Sequence, residues 1–285
     1  MPEQEPYSLT QAMYPPIPGS TNDLPEVINA PAVGEIRKLL TRLAGEYPPD
    51  LVAVEQRDVA RMTYNICLAL RYGPAQPAIC DVGGGICMFS LGLAALGYRS
   101  ILVDDFGDEF CREFAQSAVG LHQRYGVEIV SRDVITNGLD LAPESIDVAT
   151  CFHTMEHFHN SPKRLFRQLV AALRPGGVFV LGVPNRVNLR KRVMVPFGGA
   201  PWTSMESWYE QEVFRSHVRE PDVPDLRYIC RDLGLKVLEV AGRNWQGHKN
   251  KSPFIRFLAH SADWTLQQFP SLCSDIYVVG RKEAR

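Results

Sequence analysis

Three observations predict a doubly wound α/β fold built on a seven-stranded sheet. A short buried strand, a glycine turn, an amphipathic helix and a second strand follow one another between residues 78 and 105. From there to residue 185, strand patterns alternate with helical ones, which is the signature of a sheet covered by helices. Two late strand patterns, 235–240 and 275–280, complete the count after a long connection.

Residues 1–33 hold many prolines, four acids and no lysine or arginine, a composition that favours extended chain. Helical patterns at 34–46 and about 50–71 are read as a cap over a ligand cleft, with Tyr14 or Arg61 near the ligand, or as a plain extra layer. The strand at 78–82 runs into Gly83, Gly84 and Gly85, and the second strand closes on Asp104 and Asp105. A third strand, 127–131, is followed by Asp133 and Val134. A fourth, 147–152, ends at Phe152 and is left through His153, Thr154, Met155, Glu156 and His157. The next helix is expected to start at Ser161-Pro162, a hydroxyl cap with proline in the first turn. Leu165, Phe166, Leu169, Val170 and Leu173 give it one apolar face. Arg174-Pro175-Gly176-Gly177 is expected to stop it before a fifth strand at 178–185. An insertion at 186–220 and a helix at 224–233 then lead to the last two strands. The expected division is an extension and helical cap, 1–75, followed by a binding domain, 76–285.

Acids at strand ends beside bare backbone suit a nucleoside, whose ribose hydroxyls need a carboxylate and whose body must lie against glycine. A dinucleotide fingerprint requires glycine at a third position, which here is Met88, so a nicotinamide-dependent oxidoreductase ranks low. The net charge of −2 argues against a general nucleic-acid binder. Seven cysteines without a Cys-x-x-Cys pair suggest reduced thiols. The N-terminus lacks a signal-peptide pattern and no apolar run reaches membrane-spanning length, so a cytoplasmic location is expected.

Asp81-x-Gly83-x-Gly85, Met155-Glu156-His157, Leu173-Arg174-Pro175-Gly176-Gly177, Pro184-Asn185 and the strand from Asp275 occur in order over about 200 residues. In these segments the chain resembles the class I S-adenosylmethionine-dependent methyltransferases, and within them the ubiquinone-pathway O-methyltransferase-like branch. Cys87 stands where the first motif usually has its third glycine. The resemblance implies a Rossmann-like sheet with an antiparallel last strand, S-adenosylmethionine as cofactor and S-adenosylhomocysteine as product. It implies that Gly83 and Gly85 admit the methionine and ribose portions and that Asp104, or else Asp105, accepts from the ribose hydroxyls. Phe106 would cover the adenine, Asp133 would accept from its amino group, and Val134 would offer an amide. Phe152 and His153 complete the implied cofactor set. Asp81 would organise the turn or meet the methionine amine through water.

His153-x-x-Glu156-His157 has three readings. It matches a zinc-peptidase pattern, but that needs a long helix, which Asn160-Ser161-Pro162 interrupts. It could hold a divalent ion, as in some of the resembled branch, yet His153 replaces a glutamate there and no metal is expected. It could also orient the loop under the cofactor, with His157 as a base. Methyl transfer asks little acid–base chemistry of a protein, although a hydroxyl acceptor benefits from a base. His157 is the first candidate and His217 the second.

The insertion interleaves Arg186, Arg190, Lys191, Arg192, Arg215 and Arg219 with Phe197, Trp202, Trp208, Tyr209 and Phe214. Such lining suits a small acceptor with a negative group and a ring or chain: a phosphorylated or nucleotide-linked sugar, a phenol or a polyketide acid. The run from Arg190 to Phe197 could also touch an anionic membrane surface; the bland alternative is a solvated basic loop. The sequence therefore points to a methyltransferase acting on a small molecule, most readily at oxygen. An inactive methyltransferase-like binding module is the alternative.

Overall fold

The computed structural model describes residues 33–107, 109–212, 214, 216–245 and 265–283. Tyr14, Arg215 and all but the last residue of the stretch 1–33 lie outside them. Helices α1 (Val33–Ala44) and α2 (Pro49–Arg71) come first. Ile36, Leu40 and Leu43 recur at helical spacing and bury one face of α1, while Pro49 and Asp50 open α2.

The sheet then forms from β1 (Ala78–Val82), β2 (Arg99–Asp104), β3 (Glu128–Ser131), β4 (Ile146–Phe152), β5 (Leu173–Pro184), β6 (Leu235–Arg243) and β7 (Asp275–Lys282). Between them lie α3 (Met88–Ala95), α4 (Glu109–Arg124), α5 (Val134–Asn137), α6 (Lys163–Ala172), α7 (Leu189–Met194), α8 (Met205–Tyr209) and α9 (Val223–Asp232). The strand order is β3-β2-β1-β4-β5-β7-β6. β1 to β5 are mutually parallel, and β7 runs antiparallel to both β5 and β6. This is the predicted seven-stranded sheet with its last strand reversed. The order turns round between β1 and β4, which makes their carboxyl ends the natural ligand crevice. Because β7 is reversed, its first residue, Asp275, pairs with Pro184 and Arg243 at that same edge.

Two local expectations are corrected. The helix after β4 begins at Lys163, with Pro162 at the N-cap position and no side-chain cap, and Ser161 Oγ, one residue earlier, accepts from the Lys163 amide at 3.3 Å. Arg174-Pro175-Gly176-Gly177 does not precede the fifth strand but bulges within it. Leu173 pairs with Ile146 and Val178 with Val148, so four residues face Asp147 alone. The bulge is held by Arg174, which donates to Asp147 Oδ2 at 2.6 Å.

One hydrophobic cluster joins α1, α2 and α3 to the sheet through Leu40, Ile66, Phe89, Val148, Val180 and Tyr277. A second lies between the other face and α6 and α9, around Phe166, Leu169, Phe179 and Leu226. No described helix is long and apolar enough to cross a membrane.

Candidate active site

The glycine turn is built by its neighbours. Gly83 adopts φ +72° and donates to Val103 O at 2.8 Å. A Cβ there would meet Thr154 Cγ2 at 1.9 Å, so only glycine fits. Thr154 Oγ1 in turn donates to Gly83 O at 3.0 Å and to Phe152 O at 3.0 Å, which staples the end of β4 to the turn. Asp81 is buried against Gly84, its carboxylate accepting from the hydroxyls of Thr150 at 2.6 Å and Ser90 at 3.2 Å. Burial pushes its pKa up to about 7 against those two hydrogen bonds, and the charge of Asp104 adds to the rise. Asp81 thus ties β1 to Thr150 of β4 and Ser90 of α3 beneath the turn.

Asp104 sits at the rim. Its Oδ2 accepts from the Gly85 amide at 2.8 Å and its Oδ1 from the Phe106 amide at 2.6 Å. Asp105 closes a local turn onto Gly107 at 2.7 Å. Asp133 caps α5, its Oδ1 accepting from the Ile135 and Thr136 amides. Hydrogen bonds from Thr136 lower its pKa and keep it anionic. Val134 begins α5 and is buried, while half-buried Phe106, at φ +50°, follows Asp104 and Asp105.

Phe152 packs edge-on to Phe89 and Tyr277, with ring centroids at 5.1 and 6.1 Å. From the cap, Arg61 pairs with Asp58. Burial opposes its charge, but Asp58, with Cys87 and Tyr277 contributing, raises its pKa. Behind the turn, Tyr47 donates to Ile86 O at 2.9 Å, and the buried His122 ring bridges Ala118 O and Cys87 O at 2.8 and 3.1 Å.

At the exit of β4 the chain concentrates ionisable groups. His153 has a left-handed φ of +52°, uncommon for a residue with a side chain, and its amide donates to Gly182 O at 2.7 Å. Its ring lies 3.6 Å from Glu156 Oε1 and 3.4 Å from Asp275 Oδ1. Glu156 is fully buried, neither of its carboxylate oxygens has a hydrogen-bond partner, and burial pushes its pKa up to about 7. The Met155–His157 turn is joined to the insertion by amides of Val218 and Arg219, which donate to Glu156 O at 2.7 and 3.2 Å. That brings His217 edge-on to His157, ring centroids 5.0 Å apart. Glu220 accepts from or shares a proton with His217 Nδ1 at 2.8 Å and raises the His217 pKa. Both histidines proposed from sequence therefore meet, although they are sixty residues apart.

The insertion is less uniform than its composition suggests. Arg186 pairs with Asp222 and Asp225, Lys191 is buried against Glu220, and Arg192 donates to Val187 O and Ser271 O. Arg190 and Arg219 are exposed, as are Phe197, Trp202, Trp208 and Tyr209. Thr154, Thr150, Ser90, Tyr47, His122, Asp275 and Glu220 were not singled out from sequence. Their contacts join different elements, which no local pattern reports, although Ser90 lies only nine residues from Asp81 and Glu220 three from His217.

The profile of a family described as "Methyltransferase domain" matches residues 35–240. An S-adenosylmethionine-dependent methyltransferase from Archaeoglobus fulgidus superposes with a TM-score of 0.52 at 15% identity, covering 79% of this chain and 94% of that one. A second from Thermotoga maritima gives 0.50 at 16% identity, covering 87% and 100%. At such identities the likeness is one of fold. No curated protein matches the sequence significantly.

Proposed function

The chain belongs to the methyltransferase-domain family, as a class I S-adenosylmethionine-dependent methyltransferase, and from that premise we propose that it methylates a hydroxyl oxygen of a small acceptor. The acceptor carries a negative group and a ring or chain. S-adenosylmethionine, its cofactor, supplies an already activated methyl group. The chain's own residues then have two tasks. To hold the cofactor, Gly83 and Gly85 present bare main chain, Asp104 offers its carboxylate to ribose hydroxyls, and Asp133 with Val134 marks the adenine end. The second task, help with a proton, falls to His157.

The observation that carries the oxygen reading is the grouping of His157 with His217 and Glu156 at the exit of β4. An amine acceptor needs only to be neutral, whereas a hydroxyl has a pKa far above neutrality and gains from a group that takes its proton. Exposed Arg190 and Arg219, with Trp202, Trp208 and Tyr209 nearby in sequence, support an anionic acceptor with an apolar part.

The test has two steps. Calorimetry should give binding of S-adenosylhomocysteine and none of NAD. Labelled methyl donor is then offered to phenols, sugar phosphates, nucleotide sugars, polyketide acids and matched amines. Label on a hydroxyl, lost in His157→Ala, is expected. Label on amines alone, unaffected by that substitution, would remove the oxygen reading. Cofactor binding without label on any acceptor would favour an inactive binding module.

A further inference from the structure

We propose that Glu156, His157 and His217 form a binding site for a zinc-class divalent ion. One donor atom from each residue lies within 4.8 Å of the other two. The sequence motif alone argues against a metal, because His153 occupies the place expected of an acid. The fold changes that judgement by bringing in a different third donor, His217, from the far end of the insertion.

Several independent features make this a built site. Glu156 is fully buried and, among the described residues, has no hydrogen bond to either carboxylate oxygen, the His153 ring standing off at 3.6 Å. Buried carboxylates are otherwise satisfied by partners, since leaving one bare is costly. His217 Nδ1 is engaged by Glu220 at 2.8 Å, which leaves Nε2 as its ligating nitrogen. Glu220 is itself fixed by buried Lys191. A carboxylate behind a histidine is the usual outer support of a metal-bound imidazole. The main-chain bonds from Val218 and Arg219 to Glu156 O lock the two ligand-bearing segments together. His153, held between Glu156 and Asp275, orients the carboxylate and is not counted as a ligand.

The donor set identifies the class of ion. Two imidazoles and one carboxylate suit Zn2+, Co2+ or Fe2+, whereas Mg2+ prefers oxygen donors and retained water. Three protein donors leave a position open, as in catalytic and not structural sites. With an ion bound, His157 is a ligand and no longer the base, and the ion would take over that task by lowering the pKa of an acceptor hydroxyl; this use rests on the proposed O-methylation, ion binding does not.

The full-length protein, stripped with chelator, is titrated with Co2+ and then Zn2+. A single Co2+ per chain with visible ligand-field bands, displaced by Zn2+ but not by excess Mg2+, is expected. His217→Ala and Glu156→Gln should each abolish those bands while far-ultraviolet dichroism and the thermal transition persist. Glu220→Gln should weaken Zn2+ binding about 10–100-fold, and His153→Asn should leave the bands in place. Absence of bands in the wild-type protein would overturn the proposal. So would a wild-type spectrum in either folded ligand variant. S-adenosylhomocysteine binding, measured on the metal-free protein, reports separately on the methyltransferase reading.

Discussion

Asp104 holds the glycine turn before any ligand arrives, and that double duty shapes what its loss should do. Its two oxygens take the amides of Gly85 and Phe106, so Asp104→Ala frees two main-chain donors as well as removing the ribose acceptor. We expect S-adenosylhomocysteine affinity to fall tens- to several-hundredfold, about 2–4 kcal/mol, with some loss of thermal stability. An unchanged dissociation constant in the folded variant would end the ribose assignment. Asp81 behaves differently because it is buried beneath the turn. Its pKa is raised from 3.8 unfolded to about 7 folded, so the native state favours the protonated form. Stability from this group is therefore complete below the unfolded pKa and is lost as pH rises through the folded one. Asp81→Asn should be equal to wild type near the acid end of that window. It should become more stable above it, by about 2–4 kcal/mol at most. A melting difference that does not change with pH would contradict this. Both acids were legible in the sequence as strand-end carboxylates. Their hydroxyl and amide partners were not, since Thr150 and Ser90 reach Asp81 from other elements.

Elements were read where one period dominates. The apolar runs of β1, β4 and β5 and the one-sided pattern of α6 left little choice of type. Boundaries failed where two signals compete. Pro162 fixes a helical φ without joining the helix, and the glycines at 176 and 177 look like a stop although the strand resumes pairing around them. The insertion was harder still, because composition treats all its cations alike. Arg186 is tied to Asp222, the residue that caps α9, whereas Arg190 is exposed. Arg190→Ala should therefore raise the acceptor KM severalfold, with cofactor affinity and melting temperature nearly unchanged. Arg186→Ala should instead lower the melting temperature by weakening the start of α9, a loss of about 1 kcal/mol for a partly buried pair. If Arg190→Ala impaired cofactor binding and spared the acceptor, the insertion would be a cofactor lid.

At the scale of the whole molecule, the sequence suggests a cap at 1–75 that could be set apart from a binding domain, and the packing argues against separating them. Leu40 of α1 and Ile66 of α2 close over Gly92 of α3 so tightly that a Cβ there would lie 2.6 and 2.8 Å from their methyl groups. The same cluster continues through Phe89 and Tyr277 into the sheet, and Tyr47 donates to Ile86 O directly after the glycine turn. Removing both helices would expose that side of the sheet, including Phe89, Leu91, Val148 and Val180, all now buried. Each fully buried side chain of this kind is worth about 1.5–3 kcal/mol. A handful of them equals the whole stability of an ordinary domain, about 5–15 kcal/mol. The fragment 76–285 should consequently fail to show a cooperative thermal transition and should not bind S-adenosylhomocysteine, while the full chain should melt in one step reported equally by tryptophan fluorescence and dichroism. A fragment that melts cooperatively and binds the cofactor with near-native affinity would show the helices to be an accessory layer after all.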